Sequence, residues 1–210
     1  AMTFVSYAQN FEDVVLWRAL LDVSNGRYLD IGAQDPDKDS VSKAFYEAGW
    51  LGVHVEASPY YANKLRNARP NEEVIQALVG EGVEGAVFFE VPETGLSTGI
   101  VEIAEHHRAA GYDVREVRVP CTSLTDILDR FSGEAIHWMK IDVEGMEAEV
   151  LRSWGDNAAR PWLLSIEATF PNSQTPVHHE WIDEVLARGY LKVYFDGLSM
   201  YFVHEDHKDR

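Results

Sequence analysis

The sequence predicts a doubly wound α/β fold, a mostly parallel sheet closed at its C-terminal end by an antiparallel hairpin. Three observations predict it. Apolar runs of strand length alternate with helix-patterned stretches, as crossover connections of a parallel sheet require. Several of those runs end in an acid or a glycine, where open α/β sheets bind ligands. The last two runs, Tyr190 to Phe195 and Leu198 to Val203, flank Asp196-Gly197, a hairpin turn signal.

The elements follow in order. A helix is expected from Asn10 to Leu21, with Asn10 as cap and Glu12 and Asp13 in its first turn. Tyr28 to Ile31 reads as the first strand. Ser40 to Ala48 reads as a helix stopped by Gly49, and Gly52 to Val55 as the second strand. Ser58-Pro59 opens another helix, with proline at its first position. Val74 to Val79 reads as a third strand. Val87 to Val91 and Arg115 to Val119 are extra strands around a helix from Val101 to Ala110. Ser123 and Asp126 resemble a capping box for a helix reaching Phe131. Ile136 to Ile141 and Trp162 to Ile166 are buried strands around a helix from Ala148 to Trp154, and Glu180 to Arg188 is the last helix.

The 210 residues, 46% of them apolar, suffice for one self-supporting core, and no repeat or linker divides them, so residues 1–210 read as a single domain. Ala1-Met2 reads as a cloning remnant, so a longer natural chain is expected. Thirty-five acids against 18 Lys and Arg give a net charge of −17, which argues against nucleic acid and anionic membrane surfaces as partners. Cys121 is alone, so no intrachain disulfide forms, and a reducing, cytoplasmic setting is expected. There is no apolar run of membrane-spanning length.

Asp30-Ile31-Gly32-Ala33 ends the first strand without the G-x-G-x-x-G dinucleotide fingerprint, and Asp35, Asp37 and Asp39 follow. Four carboxylates would repel a pyrophosphate, which disfavours NAD or FAD and a dehydrogenase. A phosphate-free, cationic cofactor such as S-adenosylmethionine suits them. Glu56 stands 26 residues after Asp30 at the end of the second strand, near the ~20-residue offset of a ribose-binding acid. A calcium loop starting at Asp35 would need Gly and Glu where Ser40 and Tyr46 stand, so it is not expected.

The densest constellation is Lys140-Ile141-Asp142-Val143-Glu144-Gly145-Met146-Glu147. The next strand ends in Glu167, so Asp142 and Glu167 should face one crevice. Paired carboxylates can serve as acid and base, hold a divalent metal or bind sugar hydroxyls; helix capping around Gly145 is the structural alternative. A polar loop from Asn172 to Trp181 follows. In it His178 and His179 can act as base or ligand, or be merely solvated, and Trp181 can be core or a sugar platform.

These motifs together resemble the FkbM-type methyltransferase family, in a form often attached to glycosyltransferases, so such a domain is expected elsewhere in the natural chain. The resemblance is carried by Ser6-Tyr7-Ala8-Gln9-Asn10-Phe11-Glu12-Asp13, Asp30-Ile31-Gly32-Ala33, Ser40-Val41 and Val55-Glu56. Thr94-Gly95-Leu96-Ser97-Thr98, Lys140 to Gly145 with Glu147, Glu167-Ala168-Thr169 and Tyr194 to Leu198 continue it. It implies a Rossmann-like, S-adenosylmethionine-dependent methyltransferase acting on a hydroxyl of a natural product or saccharide. In that reading Asp30, Gly32 and Ala33 hold the methionine part and Glu56 the ribose. Ala57 and Ser97 also touch the cofactor, Gln9 lies at its mouth, and Asp142 stands near the transferred methyl. Gln34 stands where the family often has Asn. Val177-His178-His179 replaces a Thr-His-Glu pattern, which leaves His178 as the family-like histidine.

Methylating an alcohol requires its proton to leave. Asp142 or Glu167 is the first candidate to take it, and His178 the second. In a metal-assisted version Asp142 and Glu167, with His178 or Asn172, would hold Mg²⁺. The expected acceptor is a small molecule or glycan. The alternatives are N-methylation of an amine and a non-catalytic saccharide- or cofactor-binding domain.

Overall fold

The computed structural model describes residues 3–82, 85–171, 173, 175 and 177–210. In chain order its elements are α1 (Glu12–Ala19), β1 (Arg27–Ile31), α2 (Lys43–Glu47), β2 (Leu51–Val55), α3 (Pro59–Ala68), β3 (Glu73–Ile75), β4 (Leu78–Val79) and β5 (Ala86–Glu90). They continue with α4 (Val101–Ala109), β6 (Arg115–Val119), β7 (Cys121–Thr122), α5 (Leu124–Asp129), β8 (Trp138–Ile141), α6 (Glu147–Arg152), β9 (Leu163–Glu167), α7 (Ile182–Leu186), β10 (Tyr190–Phe195) and β11 (Ser199–His204). A seven-stranded sheet runs β10-β11-β9-β8-β1-β2-β3. Its last five strands in that order are parallel, and the β10–β11 hairpin joins β9 antiparallel.

The pleat sends alternate residues to two cores. Leu29, Ile31, Met139, Ile141, Leu164 and Ile166 pack with α5, α6 and α7. Tyr28, Trp138, Leu163 and Tyr201 pack on the opposite face with Leu16 and Leu20 near α1 and Phe45 of α2. Every residue of β8 is buried, so its tip is held from both sides. The sheet therefore fixes β1, β8 and β9 side by side and aims their carboxyl ends at one edge.

Local chemistry explains most of the boundaries. The Ser58 side chain accepts from Tyr61 N ahead of Pro59, and the Ser123 side chain accepts from Asp126 N. The Asp196 carboxylate accepts from Leu198 and Ser199 N and so shapes the hairpin turn.

Several expectations need correction. Asn10 does not cap the first helix. Phe11 takes that position at φ 62, and the Asn10 amide donates to Asp196 O at 3.4 Å instead. The helix expected from Ser40 starts at Lys43, and the one expected from Glu180 becomes a 3₁₀ turn, His178–Glu180, followed by α7. The run from Val74 to Val79 splits: β3 joins the large sheet, while β4 pairs with β7. β5 and β6 form a separate antiparallel pair. The edge strand β10 exposes Leu191, Val193 and Tyr194, and its register shifts between Lys192 and Tyr194. Among the described residues no helix is long and apolar enough to cross a membrane.

Candidate active site

A cavity with about 530 Å³ of empty space opens at the carboxyl ends of β1, β2 and β8. Gly32, Glu56, Ala57, Ser97 and Asp142 line it, and Ala77, Leu78 and Phe88 add an apolar wall. Gly32 sits at φ 79, and a Cβ there would fall 1.7 Å from the Asp142 carbonyl oxygen. Only glycine lets the β1 loop pass so close to the β8 tip.

Glu56 ends β2 inside the protein. Its Oε1 accepts from Gln34 N at 2.9 Å and its Oε2 from Ser58 N at 2.8 Å. Burial nonetheless pushes its carboxyl up to about 7. Each oxygen keeps a lone pair for a further donor, such as a diol hydroxyl.

Asp30 is buried and does not belong to the cavity wall. It lies 3.0 Å from Lys140 Nζ, its partner in register on β8, and Lys140 also donates to Gly32 O at 3.1 Å. Burial would lower the lysine's pKa, but the charges of Asp30 and Asp142 hold it well above the usual range. Asp30 thus anchors the cation that props the Gly32 turn. Ala33 is buried and Gln9 is exposed, and neither is on the wall.

The second acidic group does assemble. One oxygen each from Asp142, Glu144 and Glu167 lies within 4.8 Å of the others. Glu144 adopts φ 49 immediately before Gly145 at φ 101, and its carbonyl accepts from Thr98 Oγ1 at 2.9 Å. Burial, then the charge of Asp142, drives the carboxyls of Glu144 and Glu167 well above the usual range. Glu147 accepts from Val143 N at 3.0 Å and, through burial, rises to about 7.

His178 is not brought to this group. The charges acting on it are those of Lys192 and His179, and burial lowers its pKa. Asn172, like Gln174 and Pro176 of the same loop, lies outside the described residues. Trp181 is 2% exposed and packs in the core, so it is no sugar platform. The sequence reading left Glu144 and Lys140 without assigned roles. A signal was present for Lys140, which stands on the strand two residues before Asp142; Glu144 lies beyond the strand's end, where that period no longer applies.

The methyltransferase FkbM domain model matches residues 30–192. Among solved structures, a TehB-like SAM-dependent methyltransferase from Corynebacterium glutamicum gives a TM-score of 0.50 at 10% identity, covering 92% of this chain and 87% of that one. A putative methyltransferase from Escherichia coli gives 0.47 at 11%, covering 96% and 89%. An O-methyltransferase from Bacillus cereus, in complex with SAH, gives 0.42 at 11%, covering 95% and 84%. At such identities the likeness concerns the fold. No curated protein matches the chain significantly.

Proposed function

Since the chain belongs to the methyltransferase FkbM domain family and is an S-adenosylmethionine-dependent methyltransferase, we propose that it methylates a hydroxyl of a sugar or saccharide. The observation that carries this reading is the pairing of Asp142, on the cofactor cavity wall, with Glu167 at the neighbouring strand end. A carboxylate between cofactor and acceptor is what an alcohol needs to lose its proton.

The cavity suits the cofactor. Asp142 and Glu144 line it, and their negative charge would favour the cationic sulfonium and ammonium groups. Glu56 would hold the ribose hydroxyls, and the Leu78 and Phe88 side would cover the base. When bound, the cofactor supplies an electrophilic methyl group.

The chain's residues do the rest. Holding hydroxyl and methyl in near-attack geometry supplies ~7–11 kcal/mol of the barrier. The acceptor hydroxyl would lose its proton to Asp142, and the bound cofactor would supply the methyl group to that oxygen. Glu167, beside Asp142 at the tip of β9, would accept from a second acceptor hydroxyl. Acids match a polyol's hydroxyls, and the half-exposed Phe170 just past β9 offers an aromatic face. The acidic edge disfavours a phosphorylated acceptor.

The test is incubation with methyl-labelled cofactor and a panel of glycans, read by mass analysis. Label on a saccharide oxygen is expected. Label on proteins, nucleic acids or amines, and never on a saccharide, refutes the reading.

A further inference from the structure

Methyl transfer does not by itself account for three acids meeting at the carboxyl edge. Asp142 leaves β8, Glu144 follows on the loop and Glu167 ends β9, with one oxygen of each inside a 4.8 Å circle. Acids gathered at a surface mean little, because water separates their charges. Here Glu144 is only 9% exposed, and its Oε2 has no hydrogen-bond partner among the described residues. Asp142 Oδ1 and Glu167 Oε2 are buried and unpartnered in the same way. Lys140 acts on them across space but is committed to Asp30 and the Gly32 carbonyl. Buried acids without donors or a counter-ion are costly, and a cation among them removes that cost.

We propose that Asp142, Glu144 and Glu167 bind one divalent cation of the hard, oxygen-seeking class, Mg²⁺ or Mn²⁺. All donors are carboxylate oxygens, which suits these ions better than zinc or copper. Mg²⁺ holds its oxygens at about 2.0–2.1 Å, so they lie at most ~4.2 Å apart, and three oxygens within 4.8 Å of one another need close by only a few tenths of an ångström around it. The cofactor's ammonium is the rival occupant. It would satisfy the acids on the cavity wall, Asp142 and Glu144, but not Glu167, which is on the next strand and off that wall. The ion therefore sits between the cavity and the β9 tip. Resting on the acceptor reading above, it would bind the acceptor hydroxyl and lower its pKa, so that the proton leaves to Asp142 or water before the O–C bond forms.

The experiment titrates Mn²⁺ into the wild-type protein without cofactor or acceptor, followed by electron paramagnetic resonance and calorimetry. One Mn²⁺ per chain is expected, displaced by Mg²⁺ and retained when S-adenosylhomocysteine is added. Glu144→Gln and Glu167→Gln should each weaken it roughly 10- to 100-fold, with unchanged circular dichroism. Mn²⁺ that stays free at millimolar concentration, is expelled by S-adenosylhomocysteine, or binds both variants as well as wild type overturns the proposal. The wild-type titration decides even if a variant fails to fold. Glycan methylation that survives EDTA would remove the metal and keep the acceptor. Mn²⁺ binding without glycan methylation would do the reverse.

Discussion

One acid beside the sheet and a cluster of three at its carboxyl edge are treated in opposite ways. In the amino half, the Glu72 carboxylate accepts from Tyr28 Oη, Gly52 N and Arg69 Nη1 and meets His54 Nε2 at 2.8 Å. Burial would raise its pKa, but these bonds hold it below the usual range. At the carboxyl edge, Asp142, Glu144 and Glu167 keep unpartnered oxygens, and the two glutamates are driven upward. The first is complete without a ligand and the second is not. A satisfied acid supports the fold, and an unsatisfied one waits for something to bind.

That contrast breaks most sharply at Asp142. Asp142→Asn keeps the backbone and removes the charge, so turnover should fall ~10²–10⁴-fold while the thermal midpoint holds. Single-turnover rates beside a melting curve measure both, and an undiminished rate would remove Asp142 from the mechanism. Glu72→Ala should do the opposite. It strands Arg69, His54 and Tyr28 without their acceptor and should cost ~3–5 kcal/mol in denaturant titration. The rate per folded molecule should stay near wild type.

Glu56 stands between these extremes, half satisfied and facing the cavity. Glu56→Ala should weaken S-adenosylhomocysteine binding by ~1–3 kcal/mol in calorimetry. Its pH behaviour sharpens the point. The folded pKa lies above the ordinary glutamate value of about 4.5, so the folded chain holds the proton more tightly. Its stabilising contribution is complete below 4.5 and is lost as pH rises through about 7. Cofactor hydroxyls prefer the ionised form, so affinity should climb across that same interval. Glu147 titrates near 7 as well, so the difference between wild type and Glu56→Gln isolates the Glu56 share. The smallest effect belongs to His178. Outside the cluster of acids, it should leave the rate within a few fold when replaced by Ala, as steady-state assays would show.

The sequence made the skeleton of this arrangement legible. Strand-ending acids and a glycine marked the edge, and two of those acids, Glu56 and Asp142, line the cavity. What it hid depends on three-dimensional partners. Asp30 reads as a ligand-binding acid until its register with Lys140 turns it inward. Glu144 reads as a loop acid because its left-handed backbone, which folds it back into the protein, has no sequence signature in glutamate. Asn10 loses its capping role because its amide finds Asp196, a contact 186 residues away. The run from Val74 to Val79 looks continuous because β-propensity carries no information about which sheet a residue joins.

The exposed edge strand β10 bears on how the protein behaves in concentrated solution. A row of free backbone groups flanked by Leu191, Val193 and Tyr194 is a template on which another chain can add a strand. The register shift between Lys192 and Tyr194 bends that template, and a net charge of −17 keeps molecules apart at neutral pH. Near pH 4.7 the net charge vanishes and only the bend remains, so colloidal stability is lowest there. Storage and crystallisation well above that pH follow directly from the shape of one strand.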